Sequence, residues 1–336
     1  MEHLLQLYTS APKGPDAQIF SDDITWFLIF SIIFILIGGI FYFRWVNRRF
    51  REENKNLTDK LSERAHQVMM QKWELERRNL TVSQQNAEII DSLYYARNIQ
   101  AAILPKTETI TRNFKEAFVL YKPKDIVSGD FYFFEKFDNK VILAIADCTG
   151  HGVAGAFMSM VGSSLLHQIT GQKHLMEPAR ILEALNDGIV EALKQKESDS
   201  HAGMDIALCC IDLVTKELKY AGANRPLYFI RDHQADSLKP DKLPIGGFRP
   251  DEDRVFTQQT LQLRENDTLY IYSDGYADQF GGVQGKKIMT KKFKELLLNI
   301  HDSPMKDQQK TLDEYFETWR GRYEQVDDVL VAGIRI

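Results

Sequence analysis

The chain has 336 residues, 44% of them hydrophobic and 26% charged, with 20 Gly and 10 Pro. That composition excludes a collagen, a mucin-like stalk and a wholly disordered chain. A mild net charge of −5 points away from the concentrated basic face of a nucleic-acid binder, so no nucleic-acid partner is expected.

The first element is a membrane segment. Residues 24–43 read ITWFLIFSIIFILIGGIFYF, 20 residues without a charge, which as a helix matches a hydrocarbon core of about 30 Å. A soluble core helix rarely stays apolar on every face for this length. A secretory signal would carry a basic leader, whereas Asp22 and Asp23 stand here. Arg44, Arg48, Arg49 and Arg51 follow the span. Positive residues stay on the cytoplasmic side, which predicts a single pass of a bacterial cytoplasmic membrane with residues 1–23 outside. Trp26, Tyr42 and Trp45 suit the interfacial belts. The three cysteines, Cys148, Cys209 and Cys210, cannot build a disulfide framework, and they agree with a reducing compartment for the rest.

Residues 44–104 contain no Gly or Pro and are rich in good helix formers. Leu61, Val68, Leu75, Val82, Ile89, Ala96 and Ile103 recur at a stride of seven, the a-position pattern of a coiled coil. The companion positions, Leu57, Arg64, Gln71, Arg78, Gln85, Ser92 and Ile99, are weaker, which leaves the seam half polar. The expectation is a stalk that associates only marginally into a homodimer, poised for small inputs to shift. With no cytosolic sensor domain before the stalk, a membrane sensor is an expected partner. Pro105 ends the helix, and the catalytic body is expected over residues 105–336.

From Phe114 onward short β-rich runs take over. FYFFEKFDNKVILAIADC reads as two strands joined at Asp138-Asn139, and ALCCIDLVTKELKYAGANRPLYFI as two or three more. TLYIYSDG and DDVLVAGIRI are further strands. Helical stretches lie between them: GAFMSMVGSSLLHQI, ARILEALNDGIVEALKQK and KKIMTKKFKELLLNI. Strands mixed with helices without a repeating βαβ unit predict an α+β fold.

Acidic residues stand at strand edges or glycine turns: Asp130 in SGDFY, Asp147 in AIADCTGHG, Asp274 in IYSDGYAD, and the pair Asp327-Asp328 before VLVAGI. Any one of them alone reads as a turn residue. Several at the ends of core strands require a cation to offset their repulsion. Oxygen ligands suit Mg²⁺ or Mn²⁺, and no HExxH, CxxC pair or Walker loop offers a different chemistry. His151 in TGHG is a candidate ligand or proton donor.

SGDFY, ADCTGHGVAGAFMSM, AGANRPLY, SDGYADQFGG and DDVLVAGIRI, in this order, resemble the SpoIIE/RsbU-type branch of the PPM metal-dependent protein phosphatases. The resemblance covers about residues 100–336, including NIQAAILP. It implies a β-sandwich flanked by helices, with two Mn²⁺ or Mg²⁺ ions at one edge that activate water for attack on phosphorus. Carried over by motif, Asp147 bridges the two ions and Cys148 offers its backbone carbonyl. Asp130 serves one side, and Asp274 with Asp327 the other. Asp328 lies behind them, or is the ligand itself in an alternative register. Asp278 orients water or a weaker third ion. Asp147, Asp274 and His151, as general acid, would carry the catalysis. Lys122 or Lys124 in YKPKD is the candidate for holding the substrate phosphate.

The resemblance implies a phosphoserine/phosphothreonine protein phosphatase acting on a small phosphorylated regulator, such as an anti-sigma-factor antagonist, with the helix before the domain setting activity. The rival readings are a catalytically silent membrane scaffold that uses the fold to bind a partner, and a hydrolase of small phosphate compounds.

Overall fold

The computed structural model describes residues 15–248 and 254–336, with side chains described from Ile24 onward. The tail expected outside the membrane, residues 1–23, falls largely outside them. The chain divides into two compact units, Met1–Asn86 and Ala87–Ile336.

One helix, α1 (Pro15–Ile103), runs 89 residues, as the absence of Gly and Pro after Gly39 allows. Its first part is long and apolar enough to cross a membrane, with a mean hydropathy of 2.6 over 18 residues and none of that window buried. The stripe Leu61, Val68, Leu75, Val82 and Ile89 is exposed throughout.

The second unit opens with the last residues of α1, then α2 (Thr107–Thr111), β1 (Glu116–Lys122), β2 (Asp130–Phe137) and β3 (Lys140–Cys148). The β2–β3 turn falls at Asp138-Asn139 as predicted, with Asp138 at φ 50°, a conformation Asp tolerates better than most residues. Two helices follow, α3 (Gly152–His167) and, after a π-turn at Gln168–Gln172, α4 (Pro178–Ala192). Next come β4 (Gly203–Asp212), β5 (Glu217–Ala223), β6 (Leu227–Arg231), β7 (Gln234–Leu238), β8 (Ile245–Gly246), β9 (Gln259–Gln262) and β10 (Thr268–Tyr272). The chain then forms a one-turn α5 (Gly275–Asp278), the pair β11 (Phe280–Gly281) and β12 (Lys286–Lys287), helices α6 (Thr290–Ile300) and α7 (Met305–Arg320), and β13 (Val329–Arg335).

Two large antiparallel sheets, β1-β13-β10-β6-β7 and β2-β3-β4-β5-β9 with β8 on β4, hold all the described strands but β11 and β12, which pair with each other. Strand β3 explains the layering. All of Val141–Ala146 is buried, because the period of two sends alternate residues to two covered faces. Val141, Leu143 and Ile145 meet Leu269, Ile271, Leu330 and Ala332 of the other sheet. Ile142, Ala144 and Ala146 pack with Leu182, Leu185 and Ile189 of α4. The outer face of the other sheet is closed by Phe293 and Leu297 of α6 and Leu312 and Phe316 of α7. The result is a helix–sheet–sheet–helix sandwich, the α+β arrangement expected. β1 and α7 are additions to the predicted elements. The third predicted helix starts later, at Thr290, since Lys286–Lys287 pairs with β11 and Met289 takes φ 71°.

Candidate active site

The parity of β3 carries one residue further to the site. Asp147 continues the series Val141, Leu143, Ile145, so its side chain leaves the strand on the face between the sheets. In the β2–β3 register Asp130 is directly opposite Asp147, and in the β3–β4 register Asp147 is directly opposite Asp205. Directly opposed residues share a face, so three carboxylates stand in a row across three strands. From the other sheet come Asp274, just after β10, and Asp327, just before β13. A cavity of about 240 Å³ is lined by Asp147, Asp205, Asp274 and Asp327, together with Cys148, His151 and Arg225. Asp130, 2% exposed, stands opposite Asp147 but is not among the lining residues.

Burial, and then the charge of Asp147, push the Asp130 carboxyl well above the usual carboxylate range. Burial raises Asp147 to about 7 despite Arg225, helped by Asp274 and Asp327. Asp327 is raised too, chiefly by burial. Crowded, desolvated carboxylates of this kind mark functional sites. Arg225 sits among them, with Nη2 2.6 Å from Asp147 Oδ2, 2.7 Å from Asp274 Oδ2 and 3.5 Å from Asp205 Oδ2. Burial works against its charge, but Asp147 and Asp274 more than offset that and hold its pKa above the ordinary value.

The two acids of the terminal pair have different tasks. Asp328 is buried; its Oδ1 accepts from the Lys124 amide and its Oδ2 from the Gly129 amide, each at 2.7 Å. Both oxygens therefore hold the loop that leads into Asp130. Asp327 lines the cavity, its Oδ1 also accepting from the Asp328 amide at 2.9 Å. The Cys148 side chain faces the helix layer, where burial pushes its thiol well above the usual range. Its backbone, not its sulfur, is the part available to the cavity.

Around the rim, His151 occupies the position just before α3. Its Nδ1 is 2.8 Å from Asp125 Oδ2 and its Nε2 is 3.0 Å from Lys124 Nζ. Lys122 is not at the cavity: its Nζ lies between Asp313 (2.5 Å) and Glu317 (2.6 Å) of α7. Asp278 is not among the lining residues either, its Oδ2 being 2.8 Å from Lys287 Nζ. Asp205 and Arg225 are the residues that sequence reasoning missed. Asp205 opens an apolar strand just as Asp147 closes one, and Arg225 is the only charge in AGANRPLY.

Glycines make the close approach possible. A Cβ on Gly155 would fall 2.3 Å from the Gly150 carbonyl oxygen and 2.8 Å from the Gly129 Cα. The SGD loop, the TGHG turn and α3 are thus pressed together directly beside the carboxylates.

Comparison with known proteins matches residues 138–336 to the Stage II sporulation protein E (SpoIIE) family. The chain belongs to the SpoIIE family. Its phosphatase domain is of the PP2C type. The SiaA-PP2C domain of Pseudomonas aeruginosa is similar, with 29% identity and a TM-score of 0.68 over 75% of this chain and 98% of that one. The PP2C phosphatase domain with a regulatory fragment of SpoIIE from Bacillus subtilis matches at 21% identity and TM-score 0.53, over 66% and 62% of the two chains. The RsbU and RsbW domains of a Mycobacterium tuberculosis protein match at 21% and 0.51, over 65% and 60%. No curated protein matches the chain. At these identities the last two likenesses speak for the SpoIIE fold alone.

The residues present fit divalent cations. The Asp130 Oδ2 is buried without a hydrogen-bond partner, a polar oxygen left for a bound ion or water to satisfy. The side chains around it include the carboxylates of Asp147, Asp205, Asp274 and Asp327, oxygen donors that hard cations prefer.

Proposed function

We propose that this chain is a membrane-anchored phosphoserine/phosphothreonine protein phosphatase that depends on Mn²⁺ or Mg²⁺. The observation that carries the reading is the convergence of Asp130, Asp147 and Asp205 from one sheet with Asp274 and Asp327 from the other. Asp130, Asp147, Asp274, Asp327 and the Cys148 carbonyl hold two ions, with Asp205 beside Asp147. Bound there, the ions supply the positive charge that an in-line phosphoryl transfer to water requires. The protein's own groups do the rest. Arg225, whose fork suits phosphate oxygens, takes the role of phosphate holder in place of Lys122 or Lys124. Lys124 stays at the rim beside His151. His151, oriented by Asp125, donates a proton to the departing serine or threonine oxygen.

The apolar start of α1 anchors the chain with residues 1–23 outside the cytoplasmic membrane. The exposed heptad stripe joins two copies, and a membrane sensor supplies the input. The substrate is a small phosphorylated regulatory protein. Gln100, near the end of α1, supports regulation through that helix. It is buried, and its side chain holds Ser128 at both backbone groups (2.7 and 3.1 Å) and the Ser159 hydroxyl (2.9 Å). Ser128 lies two residues before Asp130.

The deciding experiment is turnover of a phosphoserine peptide by residues 44–336, with Mn²⁺ against EDTA, beside Asp147→Asn. Metal-dependent turnover lost in the variant is expected. Turnover that survives EDTA, or that survives Asp147→Asn, would refute the assignment.

A further inference from the structure

A second constellation of ligand-type side chains lies at the other end of the five-stranded sheet. β6 runs antiparallel to β10, with Ile230 opposite Thr268. The β6–β7 turn therefore sits beside the start of β10, whereas Asp274 follows its end. At the turn is His233, at φ 60°. Across from it, between α6 and α7, are His301 and Asp302.

The geometry is that of a partly assembled coordination sphere. His301 Nε2 is 3.2 Å from Asp302 Oδ1, and His233 Nδ1 is 3.4 Å from Asp302 Oδ2. The two imidazoles meet edge to face, centroids 4.9 Å apart, and all three ligand atoms lie within 4.8 Å of one another. Ligands about 2.0–2.1 Å from a tetrahedral ion stand about 3.3 Å from each other, close to the distance at which each imidazole meets its own oxygen of Asp302. His301 is also prepared in the way metal-binding histidines are. Its Nδ1 is 2.6 Å from the Leu298 carbonyl oxygen, which can only accept, so Nδ1 carries the hydrogen and the Nε2 lone pair faces Asp302. Such a backbone contact fixes both tautomer and ring direction. The His301 carbonyl is in turn held by Gln308 Nε2 (2.9 Å) and by Arg335. Arg335 spends its charge on Glu116 at 2.9 Å.

We infer that His233, His301 and Asp302 form a binding site for a zinc-class transition-metal ion, with water as fourth ligand. Two imidazoles and one carboxylate suit Zn²⁺ or Co²⁺ in tetrahedral coordination and suit Mg²⁺ poorly. Its ligands come from the β6–β7 turn and the α6–α7 corner, so the ion ties a hairpin tip to the helical layer. The site is structural and separate from the phosphatase centre.

Cobalt titration of the full chain in detergent, with Mg²⁺ in excess, tests this. Tetrahedral Co²⁺ absorbs visible light much more strongly than the octahedral ion that an all-oxygen centre holds. One equivalent of the intense band is expected, displaced by Zn²⁺, in the wild type and in Asp147→Asn alike. His233→Asn, which keeps a residue tolerant of positive φ in an exposed turn, should abolish the band or weaken binding by at least about 10–100-fold; His301→Gln should do the same. Zn²⁺ should raise the melting temperature of the wild type and of Asp147→Asn, but not of His233→Asn. A band that persists in His233→Asn, or one that vanishes in Asp147→Asn, would overturn the assignment, as would weak octahedral absorption alone.

Discussion

Asp130 and Asp147 lie directly opposite each other on neighbouring antiparallel strands, with their carboxylates on the same face. Like charges in such a pair destabilise a sheet, so the site is held against its own electrostatics.

This gives a pH signature in the chelated protein. Asp147 is at about 7 in the folded chain against an ordinary 3.8. Between those values the native state binds more protons than the unfolded state. Its contribution to stability is thus fully present below about pH 4 and is lost as pH rises towards about 7. In EDTA the melting temperature should fall over that window, and Asp147→Asn should flatten the slope. Parallel curves for the two proteins would contradict the assignment of the effect to Asp147.

Among the described residues, Arg225 is the one arginine or lysine in the cavity lining. Arg225→Ala in EDTA leaves Asp147 and Asp274 unpaired and should cost roughly 3 kcal/mol, read by denaturant unfolding. With Mn²⁺ present the loss of stability should shrink, while KM for a phosphoprotein rises. Lys122→Ala, by contrast, removes ion pairs to Asp313 and Glu317 and should leave KM unchanged.

Gln100→Leu strips the Ser128 amide and carbonyl of their side-chain partner in a buried place. Stability should drop by about 1–3 kcal/mol, and Mn²⁺-dependent turnover should change more than it does for an exposed stalk substitution such as Lys72→Ala. Equal effects of the two on turnover would remove Gln100 from the regulatory route.

Gly155→Ala sets a methyl against backbone on two sides. Overpacking of this kind costs about 1–3 kcal/mol, and relief requires the SGD loop to move away from α3. Half-maximal Mn²⁺ should therefore rise severalfold while the circular dichroism spectrum is retained.

The sequence made four site carboxylates legible because each follows or precedes a run that is apolar on both faces. Such runs mean a strand covered twice, and a charge at the end of one has nowhere to go but the open edge. Asp205 carries the same signal in GMDIALCCI, but it starts the strand, with no SGD- or DG-type turn to mark it. Arg225 lacked any local signal, since its meaning depends on two acids 78 and 49 residues away. The division of labour between Asp327 and Asp328 was open in the sequence for the same reason. It turns on the Lys124 and Gly129 amides, some 200 residues distant along the chain. Helix α7 was missed although Met305, Leu312 and Phe316 are its buried face; only three apolar anchors over four turns leave its periodicity faint.

The bond from Asp328 to the Gly129 amide spans 199 residues, and β13 lies in the middle of its sheet, between β1 and β10. A ribosome delivers that strand last among these elements. Until it emerges, β1 has no neighbour in its sheet and the loop before Asp130 has no clamp. Synthesis thus carries its own safeguard: the nascent chain cannot assemble its carboxylate cluster before translation has passed Asp328.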